Sequence, residues 1–102
     1  MNLWERVIKD SRPFDADLIL QGIQHLHSLG LIHCDLNPMN IVMDGNTPVI
    51  IDFDSCQRKG DKLGIKAGSW GWTDESFEFA MPENDEYGLS KIRDFLLENG
   101  KM

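Results

Sequence analysis

The sequence predicts an α+β fold, mainly helical with one short β-hairpin. Apolar residues recur at helical spacing in three segments, short β-branched runs stand between the second and third, and Asp44-Gly45-Asn46 joins two of those runs as a turn. Leu3, Trp4, Val7 and Ile8 share one helical face, and Arg12-Pro13 closes this first helix. Asp15 is placed to cap a second helix with Asp17 in its first turn; Ile19, Ile23 and Leu26 form its apolar stripe, and Gly30 suits its end. The runs 31–33, 41–43 and 49–51 read as strands, the last two forming a hairpin over 41–51. Residues 52–74 hold four glycines and no periodicity, which predicts a long loop. After Pro82, with Asn84 or Asp85 as cap, a last helix carries Leu89, Ile92 and Leu96 beside Phe95 and stops at Asn99-Gly100.

One domain spanning 1–102 accounts for the length of 102 residues. A net charge of −7 disfavours a non-specific nucleic-acid binder. No apolar run reaches membrane-spanning length and the first ten residues carry four charges, so neither a membrane span nor a secretory leader is expected. Two cysteines, Cys34 and Cys56, make no disulfide scaffold; the expected location is intracellular, in the cytoplasm. Charge is uneven: three basic side chains against eight acidic over 1–57, four against one over 58–73, and three against eight over 74–102. Arg58, Lys59, Lys62 and Lys66 therefore form a basic island, read as a solvated loop or as a surface meeting anions such as phosphate.

Asp35 follows the first short strand, Asn40 opens the second, and Asp52 follows the third. Each alone could cap a turn. Together they place hard oxygen ligands of the kind Mg²⁺ accepts beside a carboxylate able to take a hydroxyl proton during phosphoryl transfer. His25, His27, His33 and Cys34 lack a second converging cluster, which argues against zinc. Trp70, Trp72, Phe77 and Phe79 could form a base-stacking platform, but beside an acidic segment they read as packing.

His33 to Asn40, HCDLNPMN, resembles the catalytic loop H-R-D-L-x-x-x-N of eukaryotic protein kinases, and IDFD at 51–54 resembles their D-F-G stretch. GIQHLHSLGLIH (22–33) is similar to the helix leading into that loop. GSWGW (68–72) resembles the end of the activation segment, and ENDEYGLSKI (83–92) the start of the central helix. Short kinase-like proteins of filamentous fungi look most alike. The resemblance implies a partial protein-kinase large lobe whose hairpin region carries the catalytic loop, binding ATP and Mg²⁺ and acting on a protein hydroxyl. It implies Asp35 as catalytic base, Asn40 and Asp52 as metal ligands and part of the cofactor site, Val42 as the floor under the adenine, and His33 as a buttress. Pro38 sits where serine/threonine kinases have proline.

The departures shape the expectations. Asn37 stands where a lysine would steady the transferring phosphate, Cys34 where an arginine would meet a loop phosphate, and Asp54 where D-F-G has glycine. Glu75 is the better placed candidate for the glutamate of A-P-E, since Pro82-Glu83 lies too close to the last helix. Nothing before residue 22 resembles a glycine-rich loop or its lysine. The expected partners are thus ATP, a protein substrate, or a protein covering the missing small-lobe side, and the chain alone is expected to be inactive. Two other readings stand beside this one: an aminoglycoside- or choline-kinase-like phosphotransferase, which Asp52-Phe53-Asp54 suits, and a non-catalytic, kinase-derived binding module.

Overall fold

A computed structural model describes residues 1–10, 12–63, 71–74 and 76–101. Its elements are α1 (Leu3–Lys9), α2 (Asp17–Ser28), β1 (Leu31–Ile32), a 3-10 turn (Pro38–Asn40), β2 (Ile41–Asp44), β3 (Thr47–Ile50), β4 (Gln57–Arg58) and α3 (Pro82–Glu98). Lys66, residues 68–70 of the GSWGW stretch and Glu75 lie outside the described residues.

Helix ends follow local chemistry, with two differences from expectation. The Asn2 side chain accepts the Glu5 N–H and caps α1. Asp15 does not occupy the cap position of α2: Ala16 does, and the Asp15 carboxylate instead accepts the Asp17 N–H in a local Asx turn. For α3 the cap position is Met81 and Pro82 is the first helical residue. Asn84 reaches back to accept the Met81 N–H, while Asp85 lies too deep in the helix to cap it and is fully buried.

The core gathers one stripe from each helix: Leu3 and Val7 from α1, Ile19 and Ile23 from α2, Ile92 and Leu96 from α3. Trp4 and Ile8, expected on the buried face of α1, are 38% and 62% exposed. Trp4 stacks on Phe95 with centroids 4.8 Å apart, and Trp72 meets the same ring edge-on at 6.1 Å. Trp72 therefore packs against the core, and Phe77 similarly packs edge-on against Tyr87.

The hairpin forms as expected, with Ile41 opposite Ile50 and Asp44 opposite Thr47. The loop between them is Gly45-Asn46, with Gly45 at φ 61° as primed hairpin turns require. Its inner face (Ile41, Met43, Ile50) meets the core, and Gly22 on α2 leaves room for Ile50, whose Cδ1 would lie 3.2 Å from an added Cβ. Met43 N–H, facing away from β3, bonds Met1 O at 2.9 Å, so the N-terminus continues the sheet past β2. Pro48 lies on the other edge, where it has no N–H to offer a further strand.

Residues 52–63 are more ordered than the plain loop expected over 52–74. Gln57 and Arg58 pair antiparallel with Ile32 and Leu31 as β4. Farther on, Leu63 N–H bonds Glu78 O and Ala80 N–H bonds Asp61 O, each at 2.8 Å. These pairings come from backbone bonding between distant segments, so no hydrophobic periodicity announces them.

Gly88 on α3 lies against the chain at Leu36: an added Cβ would stand 2.8 Å from Leu36 O. A backbone carbonyl cannot swing aside as a side-chain tip can. Gly88→Ala should lower the unfolding free energy by about 1–3 kcal/mol in chemical denaturation, outweighing the roughly 1 kcal/mol gain in helix propensity.

Candidate active site

The segment His33-Cys34-Asp35 leaves β1 and bends sharply at Cys34, a non-glycine residue at φ 71°. That conformation costs energy and needs compensation. Asp85 supplies it from α3: one carboxylate oxygen accepts His33 N–H at 2.9 Å and the other accepts Cys34 N–H at 3.0 Å. Successive N–H groups around a left-handed residue form an anion-holding concavity, and here the anion is a side chain of the protein itself. His27 of α2 completes the clamp, its Nε2 standing 2.8 Å from Asp85.

His33 is fully buried and its partners define its tautomer. Nδ1 accepts the Asp35 N–H at 3.2 Å, so Nε2 carries the proton and donates to Ile51 O at 2.8 Å. The ring thereby ties the start of this loop to the residue before Asp52, and the Phe53 ring leans on it at 5.4 Å between centroids.

Asp35 is half-buried between two amides. Asn37 Nδ2 donates to one carboxylate oxygen at 3.1 Å and Asn40 Nδ2 to the other at 3.2 Å. Both also reach the Asp35 carbonyl, at 3.2 and 2.9 Å. Asn37 is 1% exposed, and its own oxygen accepts Met39 N–H, capping the 3-10 turn. Its amide therefore braces Asp35 from inside the loop. Asn40 O accepts the Ile51 N–H at 2.8 Å, which brings the backbone of Asp52 alongside Asn40.

Asp52 is exposed and left-handed, at φ 60°, with its carboxylate accepting Asp54 N–H at 3.4 Å. Asp54 is also exposed, and among the described residues no three His, Cys, Asp or Glu side chains gather in metal-holding geometry. Asn40 and Asp52 carry hard oxygen donors of the type that Mg²⁺ takes when water and substrate phosphates complete its shell. Val42 is half-buried on the outer hairpin face, opposite Val49.

Asp85 and His27 were not legible as site residues. An aspartate in the first turn of a helix reads as a cap, and His27 reads only as one of four zinc-type side chains that lack a second converging cluster. The signal that could have found Asp85 is its place in the segment 83–92, one turn ahead of Gly88, whose missing side chain lets α3 approach the loop.

Three kinases resemble stretches of this chain. The identity is 40% over 52 residues with mitogen-activated protein kinase 14C of Drosophila melanogaster, covering 50% of this chain and 15% of the relative. It is 38% over 66 residues with the serine/threonine-protein kinase/endoribonuclease IRE1 of Hypocrea jecorina, covering 53% and 5%. With the serine/threonine-protein kinase ppk21 of Schizosaccharomyces pombe it is 49% over 45 residues, covering 43% and 8%. The chain thus spans a small part of the length of these curated relatives, and the class to which fold and loop point is kinase-like. Within that class the chain belongs to the RIO domain family, whose model matches residues 5–59, more than half of its length.

Removing the Asp85 carboxylate would strand two buried N–H groups and release the strained bend. Asp85→Ala should cost about 3–5 kcal/mol in chemical denaturation, far more than a surface aspartate.

Cys34 offers a pH test of the same packing. It is 2% exposed, and burial first, then the Asp85 charge, push its thiol up to about 12 from an ordinary 9.0. The unfolded chain therefore loses this proton first as pH rises, so the contribution is full below about 9 and is lost towards about 12. Across that window wild type should lose more stability than Cys34→Ala, and parallel curves would remove the basis for the shift.

Proposed function

We propose that this chain carries the catalytic loop and metal-binding part of an ATP-dependent phosphotransferase that acts on a serine or threonine hydroxyl of a protein. The observation supporting this most directly is the Asp35 carboxylate, oriented by the Asn37 and Asn40 amides in a loop whose far end is bonded to the residue before Asp52. In this reading Asp35 accepts the hydroxyl proton and Val42 lies under the adenine. Asn40, through its amide oxygen, and Asp52 would hold Mg²⁺, which when bound neutralises phosphate charge. Asn37 acts on Asp35 rather than on the phosphate, since its amide is turned inward and carries no charge.

The acceptor follows from Pro38, which stands where serine/threonine kinases, and by likeness the short fungal kinase-like proteins, have proline. A small hydroxylated acceptor, as in aminoglycoside- and choline-kinase-like enzymes, is the second reading, favoured by Asp54 in place of glycine. Two free cysteines suit a reducing, cytoplasmic setting. Val49, Ile51 and Phe53 are exposed on or just beyond β3, a surface that a protein partner carrying a small lobe would cover.

Phosphoryl transfer depends on positioning the γ-phosphate and neutralising its charge. These 102 residues contain no glycine-rich loop or paired lysine, and loss of one such donor costs about 10²–10³ in rate. The chain alone should therefore transfer no phosphate from ATP to a generic acceptor protein above background. A chimera with a borrowed small lobe should do so, and lose it on Asp35→Asn. Mn²⁺, read by water relaxation with a non-hydrolysable ATP analogue present, should bind weakly to wild type and not to Asp52→Ala. Equal enhancement in that variant would refute the metal assignment. Transfer by the bare chain that disappears in Asp35→Asn would show that no second lobe is needed.

A further inference from the structure

Arginine is an uncommon residue to bury, and a buried guanidinium needs its N–H groups and its charge matched. Arg6 lies on the same face of α1 as Leu3 and Val7 and is 4% exposed. Its two terminal nitrogens reach the carbonyls of Arg12 and Pro13 at 3.2 and 3.5 Å, the second at the limit of a hydrogen bond. Its Nε has no hydrogen bond and stands 3.5 Å from Asp10. Asp10 is itself gripped by Arg12, with nitrogen–oxygen distances of 2.6 to 3.1 Å. Two guanidinium groups thus share one carboxylate, and the more buried of them is the less satisfied.

Both arginines line a cavity of about 250 Å³. Phe14, Pro13 and Leu18 give it an apolar side, and Asn46 from the tip of the hairpin lines it as well. Asp15, exposed at the same cavity, adds a carboxylate that accepts the Asp17 N–H at the start of α2. The base of the hairpin, at its opposite end, carries Asn40 and the approach to Asp52, so this cavity is separate from the candidate active site.

We propose that this cavity binds a small carboxylate-bearing ligand with an apolar body, the carboxylate meeting Arg6 and Arg12 and the body packing on Phe14 and Leu18. A carboxylate matches the planar N–H groups of a guanidinium, and Asp10 is divided between two of them. The volume lies below the roughly 300–1,000 Å³ of pockets for drug-sized ligands, which selects a compact acid.

Sodium benzoate is the probe and benzamide its neutral counterpart, titrated into the full chain at constant ionic strength. The readouts are the Arg6 Nε–H resonance and the melting temperature. Benzoate should shift that resonance saturably and raise the melting temperature, whereas benzamide should do neither. Arg12→Gln should weaken binding by about tenfold, the loss of a charge-assisted hydrogen bond. Leu18→Trp, which fills the cavity from a half-buried position, should abolish the response in a protein that still melts cooperatively. These variants leave Arg6 in place, so folding and binding are read separately. A shift linear in benzoate, one matched by benzamide, or one undiminished in both variants would overturn the proposal.

Discussion

The candidate active site hangs on a single buried carboxylate. Asp85 has no exposed surface, and an ion in that position is tolerated only when its oxygens are fully engaged. The N–H groups of His33 and Cys34 and the His27 ring engage it, from the loop after β1 and from α2. Three segments distant in sequence therefore meet on one charge, and a shift of any of them would leave that charge or a buried N–H unmatched. Gly88, one turn later on α3, removes the side chain that would otherwise hold the helix away from Leu36.

Strain and bracing sit side by side around this clamp. Cys34 and Asp52 are the non-glycine residues at positive φ among those described, and His33 touches the neighbourhood of both. Its Nδ1 accepts from Asp35, and its Nε2 donates to Ile51, immediately before Asp52. The ring acts as a rigid spacer between the loop that presents Asp35 and the strand end that presents Asp52. Without it, two chain segments in costly conformations would no longer be tied to each other through this ring.

The electrostatics of the same region explain what it needs from outside. Residues 34–56 include Asp35, Asp44, Asp52 and Asp54 and contain no Lys, Arg or His. A polyphosphate approaching such a surface is repelled unless cations intervene, which is why the proposed function pairs these residues with a divalent ion and with positive groups beyond this segment. Cationic groups stand elsewhere in the chain: Arg6 and Arg12 meet at the far end of the hairpin, Arg58 ends β4, and Lys59 and Lys62 follow it.

The sequence by itself determined the elements whose signals are local. Gly30 and Gly100 sit past their helix ends at positive φ, the Gly45-Asn46 turn sets the hairpin register, and Ile19 and Ile23 of α2 and the stripe of α3 reach the core as their periodicity predicts, while Leu26 stays half-buried outside it. The segment HCDLNPMN likewise keeps Asp35, Asn37 and Asn40 together, because a loop that closes on its own amides is encoded over eight neighbouring residues. Tertiary structure alone decided what depends on distant partners. Asp85 became a clamp rather than a cap because its oxygens meet N–H groups some fifty residues earlier, at separations of 51 and 52 positions. β4 exists because backbone groups of Gln57 and Arg58 face β1, and Arg6 is buried because carbonyls of the following loop fold over it. Periodicity reports which face of a segment is apolar; it carries no record of which polar group on another segment will be waiting there.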